Sequence, residues 1–174
     1  MRATTKKIAI LIEELYQVLE VWYPLLRLKE EGIAVDLVGT GSKDSYGSKE
    51  GYPAKADLAI DRANPGDYDG VIIPGGFAPD FMRRNPKMAA FVKSMDGQGK
   101  VVASICHGGW MLVSAGILKG RKATSFFAIK DDLVAAGADF VDAEVVVDGN
   151  LITSRKPEDL PAFVVEIIKQ LKSK

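Results

Sequence analysis

The sequence predicts a single α/β domain over residues 1–174, a mainly parallel sheet with helices on both faces. Three observations lead there. Short apolar runs alternate with stretches of helical periodicity along the whole chain. The opening segment, from Lys7 to Val38, reads strand, helix, strand in about 30 residues, the size of one βαβ unit. One later stretch, Lys100–Trp110 (KVVASICHGGW), joins a buried strand to a helix through a tight turn.

That stretch also carries chemistry. The apolar run Val101–Ile105 ends on Cys106, the only cysteine of the chain, and His107, the only histidine, follows at once. Gly108-Gly109 then open a helix running from Trp110 to Ala115. This is the layout of a nucleophile elbow with Cys in place of Ser. The turn lifts the side chain at its apex out of the sheet, and glycine two residues on lets the helix pack close. The helix is expected to aim free N–H groups and its positive end at the sulfur, favouring thiolate. The plainer reading is a small buried hydrophobe at a strand end, common for free cysteine. Strand end, glycine and helix start in one place favour the nucleophile.

In chain order, Lys7–Ile12 is a fully buried first strand. Val18, Val21, Trp22, Leu25 and Leu26 then share a helix face, with Pro24 inside it, so that this helix either kinks there or regularises after it. Gly32 stops the helix, and Ile33–Val38 is the second strand. Gly39–Lys55 reads as a loop with a small hairpin, and Ala56–Ile60 as an edge element. Asn64-Pro65-Gly66-Asp67 is a turn before the short buried strand Val71–Ile73, which Pro74-Gly75-Gly76 ends. Asp80–Arg84 makes one helical turn. Met88, Phe91, Val92 and Met95 mark a helix begun by Asn85-Pro86 and stopped at Gly97. Beyond the elbow, Lys122–Phe126 is a strand and Ile129–Ala136 a helix stopped by Gly137. Val145–Val147 and Leu151–Ser154 flank the hairpin turn Asp148-Gly149-Asn150. Pro157 starts a last helix whose apolar face is Leu160, Phe163, Val164, Ile167, Ile168 and Leu171.

Composition narrows the function. With 47% apolar residues and zero net charge the chain is an ordinary globular one, and without a basic stripe it is not a dedicated nucleic-acid binder. A lone cysteine and a lone histidine exclude an internal disulfide and Cys- or His-cluster metal sites. No apolar run reaches the ~18 residues of a membrane span, and the opening MRATTKK lacks a signal peptide's apolar core. A soluble, cytoplasmic protein is expected. Ligands of such sheets sit beyond the C-terminal strand ends, where Glu13, Gly75-Gly76 and Cys106 all fall. Glu13, Glu14 and Glu20 would repel a flavin phosphate there, and no phospho-accepting Asp stands at a central strand end. Thiol chemistry fits better, with the backbone N–H groups of Gly76 and His107 as the oxyanion site. Glu13 and Glu14 read as a solvated strand end. Trp22 and Trp110 read as packing or interface residues.

Six separated motifs in one order then identify a resemblance: Tyr23-Pro24-Leu25 with Lys29–Gly32, Ile73-Pro74-Gly75-Gly76 with Ala78-Pro79, Ala103–Gly108, Ile129–Asp132, Glu144–Gly149 and Thr153-Ser154-Arg155. Over nearly its whole length the chain resembles the ThiJ/PfpI superfamily, in its PfpI intracellular protease branch. The resemblance implies a flavodoxin-like three-layer sandwich and a cofactor-free cysteine enzyme. Cys106 matches the family nucleophile, Glu20 the glutamate whose carboxyl bonds that sulfur, and His107 the base. Asp80 falls where the branch has a glutamate that orients the histidine from a neighbouring subunit, so the triad Cys106–His107–Asp80 would be completed by self-association. Gln17 stands where an acidic residue is common; it hydrogen-bonds but exchanges no proton. Arg155 is an auxiliary candidate, for a substrate carboxylate or a subunit contact. The implied activities are glyoxalase-type conversion of small dicarbonyls, removal of early glycation adducts, and peptide hydrolysis. The alternative of a different class is an oxidative-stress sensor or chaperone built on an oxidisable thiol.

Overall fold

A computed structural model describes residues 5–173. Its centre is a seven-stranded sheet of β1 (Lys7–Ile12), β2 (Ala34–Gly39), β5 (Leu58–Ala59), β6 (Gly70–Ile73), β7 (Val101–Ile105), β10 (Val145–Asp148) and β11 (Leu151–Ser154). The spatial order is β10-β11-β7-β6-β1-β2-β5. All neighbours run parallel except β10 against β11, which the Asp148-Gly149-Asn150 turn joins. The sheet is buried on both sides, so its central strands read as continuous apolar runs: Ile8 to Ile12 and Val101 to Ile105 contain no exposed residue.

From β1 the chain grows outward to β2 in one direction and, through β6, to β7 in the other. Right-handed crossovers then place the two sets of helices on opposite faces. One layer holds α1 (Val18–Glu30) against α6 (Leu160–Lys172); the other holds α3 (Pro86–Gly97) against α4 (Gly109–Ala115). The short α2 (Ala78–Met82) and α5 (Lys130–Ala135) pack beside α4. The growth reversal at β1 and β6 opens a crevice at their C-terminal ends, the usual ligand position of such sheets. Residues 15–17 close part of it, because Tyr16 bridges to both Gly76 and Ser48.

The element order follows the sequence expectation, with local corrections. Pro24 lies inside α1, which runs unbroken from Val18 to Glu30. The hairpin expected in Gly39–Lys55 is β3 (Ser45–Gly47) paired with β4 (Pro53–Lys55). The one-turn helix begins at Ala78, before Asp80. Lys122–Phe126 is not a five-residue strand. Only β8 (Lys122–Ala123) is, and it pairs with β9 (Asp139–Phe140), a strand with no sequence signal of its own. The ladder stops because the Thr124 N–H donates to the Thr153 side chain and the Phe126 N–H to the Cys106 carbonyl. The chain there turns toward the elbow. Among the described residues no helix is long and apolar enough to cross a membrane.

Candidate active site

The elbow forms as its sequence suggests. β7 ends at Ile105, and Cys106 takes φ 60°, a left-handed conformation that non-glycine residues rarely adopt. Gly108 is required beneath it: a Cβ there would lie 2.5 Å from the Ile73 carbonyl oxygen. Cys106 lines a cavity of about 410 Å³ and is only 8% exposed.

Glu20 reaches the sulfur from α1. The Gln17 side chain caps that helix, its Oε1 accepting from the Glu20 N–H at 3.0 Å, which sets Glu20 in the first turn. The Leu15–Gln17 segment is tied down in turn, with the Gln17 N–H donating to Gly75 and the Phe77 N–H to Leu15. Glu20 is fully buried, Oε2 accepting from the Gly75 N–H at 2.6 Å, while Oε1 has no hydrogen-bond partner. Gly75 permits this approach, because a Cβ on it would fall 2.7 Å from both Glu20 Oε2 and Cys106 Cβ.

The electrostatics differ from the sequence expectation. Burial pushes the Cys106 thiol up to about 12, and the neighbouring Glu20 charge adds to it. The His107 and Gly76 N–H groups, directed at the sulfur, oppose this without reversing it. Burial thus works against the thiolate that the two amides favour; the pattern of amides is legible in sequence, the depth of the sulfur is not. Burial also raises Glu20 to about 8, against the lowering effect of the Gly75 N–H and the thiol. At neutral pH the carboxyl keeps its proton. His107 is lowered by burial and then by the Lys49 charge, so its ring is neutral.

His107 Nδ1 lies 3.3 Å from Cys106 Sγ. The ring is clamped, stacked on Phe126 at 5.0 Å and edge-on to Trp110 at 5.3 Å, and Trp110 is itself anchored by its Nε1–H donating to Asp132. Cys106, His107, Glu20, Gly75, Gly76 and Gln17 thus converge. Gln17 serves as a helix cap lining the cavity. Asp80 does not line it and pairs with Arg84. Among the described residues no carboxylate pairs with the His107 ring. Arg155 lies in an adjoining cavity of about 510 Å³ that shares the Phe126 wall, held by Asp159 and Asp142. Glu13 is not solvated as expected: it is 5% exposed and bonded by Ser42 and Thr40, whereas Glu14 pairs with Lys43. One lining residue carried no sequence signal. Lys49, in the β3–β4 turn, reaches the cavity from far along the chain.

A family model described as the DJ-1/PfpI family matches residues 6–170. The chain is 45% identical to a protein named deglycase PfpI of Pyrococcus furiosus, over 95% of this chain and 99% of that one. It is 38% identical to a putative cysteine protease of Bacillus subtilis, over 97% of this chain and 99% of that one. Among solved structures it resembles a two-domain protein of Anabaena variabilis with DJ-1/ThiJ/PfpI-like and ferritin-like domains, at TM-score 0.94 and 44% identity, covering 97% of this chain and 48% of that one. With the strand order, the elbow and its motifs all in place, the chain belongs to the DJ-1/PfpI family.

Proposed function

We propose that the protein is a cysteine-dependent enzyme that acts on small carbonyl compounds and their early adducts, in the manner of the deglycase-named relatives. The observation that carries this reading is the convergence, at the floor of one cavity, of a strained nucleophile position, a protonated buried carboxyl and a neutral imidazole. Two relatives carry the names deglycase and putative cysteine protease, and both imply attack on a carbonyl carbon. A cavity of about 410 Å³ walled by Phe77, Trp110 and Phe126 suits a short compound better than an extended polypeptide.

The chemistry follows from the resting charges. Cys106 Sγ adds to the carbonyl carbon as His107 Nδ1 takes the thiol proton, so that the sulfur is ionised only in the reacting complex. The Gly76 and His107 N–H groups stabilise that sulfur as charge develops. The carbonyl oxygen receives the proton, giving a hemithioacetal. With a 2-oxoaldehyde, a proton then moves from the former aldehyde carbon to its neighbour while the hydroxyl proton passes to the former ketone oxygen, and this leaves a thioester. Water cleaves it to the 2-hydroxy acid and restores the thiol. Orientation of His107 is assigned to a second copy of the chain, whose Asp80 would supply the carboxylate that one copy does not place beside the ring.

The test is turnover of methylglyoxal and of a glycated thiol by wild type and Cys106→Ala, with size-exclusion chromatography beside it. Loss of product in the variant with its fold retained is expected. Undiminished turnover would remove the mechanism.

A further inference from the structure

The cavity that holds Cys106, Glu20 and His107 has a single lysine or arginine in its lining, Lys49. Among the described residues it makes no ion pair. Its neighbour Glu50 does not line the cavity and accepts from the Val18 N–H at 3.2 Å, although its charge also reaches Glu20. The Lys49 backbone is fixed: its N–H donates to the Tyr16 carbonyl at 2.9 Å, and the buried Ser48 hydroxyl accepts from the N–H groups of Glu50 and Tyr52. Its charge is felt at both Glu20 and His107. A cation held at the mouth of a cavity with aromatic walls attracts an anion more strongly than the same cation in open water.

We infer that Lys49 is a specificity residue: it makes the Cys106 cavity prefer small carbonyl compounds that carry an anionic group, such as a carboxylate, beside the reacting carbon. This rests on the function proposed above, and deepens it by naming the substrate class. The ammonium holds the anion at the mouth while the electrophilic carbon meets the sulfur. Addition needs no co-reactant, since the thiol adds across the C=O and its proton ends on the oxygen.

The single cysteine makes a direct test available, because alkylation reports Cys106 alone. Iodoacetate and iodoacetamide have nearly the same shape and differ by one negative charge. In each, the sulfur displaces iodide at the CH₂ carbon, and the thiol proton is released. Both reagents sample the same thiolate fraction, so the ratio of their rates is insensitive to any change in the thiol pKa. Lys49→Gln is expected to lower the iodoacetate-to-iodoacetamide ratio roughly fivefold. About 0.5 M NaCl should lower it in wild type and leave the variant unmoved, and Lys49→Arg should retain the wild-type ratio. In the same assay glyoxylate should protect Cys106 at lower concentration than neutral glyoxal, and Lys49→Gln should erase the difference. An unchanged ratio in Lys49→Gln, or a wild-type ratio blind to salt, overturns the inference. Because the alkylation readout requires no turnover, a protein that fails to convert methylglyoxal but shows the charge preference refutes the proposed reaction and not this assignment.

Discussion

Two glutamates enter the core within a few turns of one another and meet different surroundings. Glu13, just after β1, is 5% exposed, with Oε1 accepting from the Glu14 N–H and Ser42 Oγ, and Oε2 from Ser42 Oγ and Thr40 Oγ1. Glu20, in the first turn of α1, is fully buried with one amide donor at Oε2 and an Oε1 without a partner. Burial is nearly equal; the supply of donors is not. A carboxyl group surrounded by donors is a structural anchor tying the end of β1 to the loop after β2. A carboxyl deprived of donors keeps its proton, up to about pH 8, and stands ready to exchange it.

The largest effect should come from removing that proton. Glu20→Gln keeps the shape and the Gly75 contact, yet cannot donate or receive a proton. Turnover of methylglyoxal is expected to fall by roughly 10²-fold or more. Stability gives a second readout with a definite sign. A carboxyl raised from about 4.3 in the unfolded chain to about 8 in the fold holds more protons folded than unfolded between those values. Its contribution is complete below the lower value and is lost as pH rises through the upper one, by at most about 1.4 kcal/mol per pH unit. Urea denaturation across this window should show the decline in wild type and a flatter profile in Glu20→Gln. Identical slopes would mean that Glu20 is already ionised, and the contrast with Glu13 would dissolve.

Glu13 should show the opposite pattern. Glu13→Ala removes the acceptor shared by the Thr40 and Ser42 hydroxyls and the Glu14 N–H, so the fold is expected to lose about 1–3 kcal/mol in the same denaturation assay. The iodoacetamide rate of Cys106 should hold within about twofold of wild type. A loss of methylglyoxal turnover as large as the one expected in Glu20→Gln would show that both acids serve the thiol.

The contrast also marks what sequence can disclose. β1, β6 and β7 are legible because a strand buried on both faces has no choice but a continuous apolar run. The elbow is legible because Cys106, Gly108 and the helix after them are neighbours in sequence. What decides the state of a group is tertiary. Glu13 and Glu20 look alike in a string, and only the fold brings Ser42 to one and the Cys106 sulfur to the other. The thiol's ionisation is hidden for the same reason: its two amides are local, but the desolvation that opposes them comes from the whole crevice. Lys49 sits in a turn of glycine, serine and lysine, and nothing there signals a residue distant in sequence. Glu20, Gln17 and Asp80 are candidates through family resemblance alone; the first two line the cavity of the sulfur and Asp80 does not. Lys122–Phe126 failed as a strand because Thr124 and Phe126 spend their N–H groups on Thr153 and the elbow.

The smallest effect expected concerns strain, and a second pair of residues frames it. Leu15 and Cys106 are the described non-glycine residues with positive φ, at 59° and 60°. Each lies just beyond the end of a central strand. Such a conformation costs a residue with a Cβ about 1 kcal/mol, which glycine avoids. Glycine ordinarily destabilises relative to alanine, because it has more freedom to lose. At these two positions the order should invert. Cys106→Gly is expected to be more stable than Cys106→Ala by about 0.5–1 kcal/mol, and Leu15→Gly more stable than Leu15→Ala by a similar margin. The pairs part company in function. Both variants at 106 lose the nucleophile, whereas both at 15 should turn over methylglyoxal like wild type, since the Leu15 backbone N–H and carbonyl that hold Gly47 and Phe77 survive the change. Equal strain would then serve two purposes, closing the crevice at one site and lifting a sulfur into it at the other. Thermal midpoints of the four variants decide it: if alanine proves the more stable choice at 106, the elbow is not strained, and the position of the sulfur owes nothing to stored conformational energy.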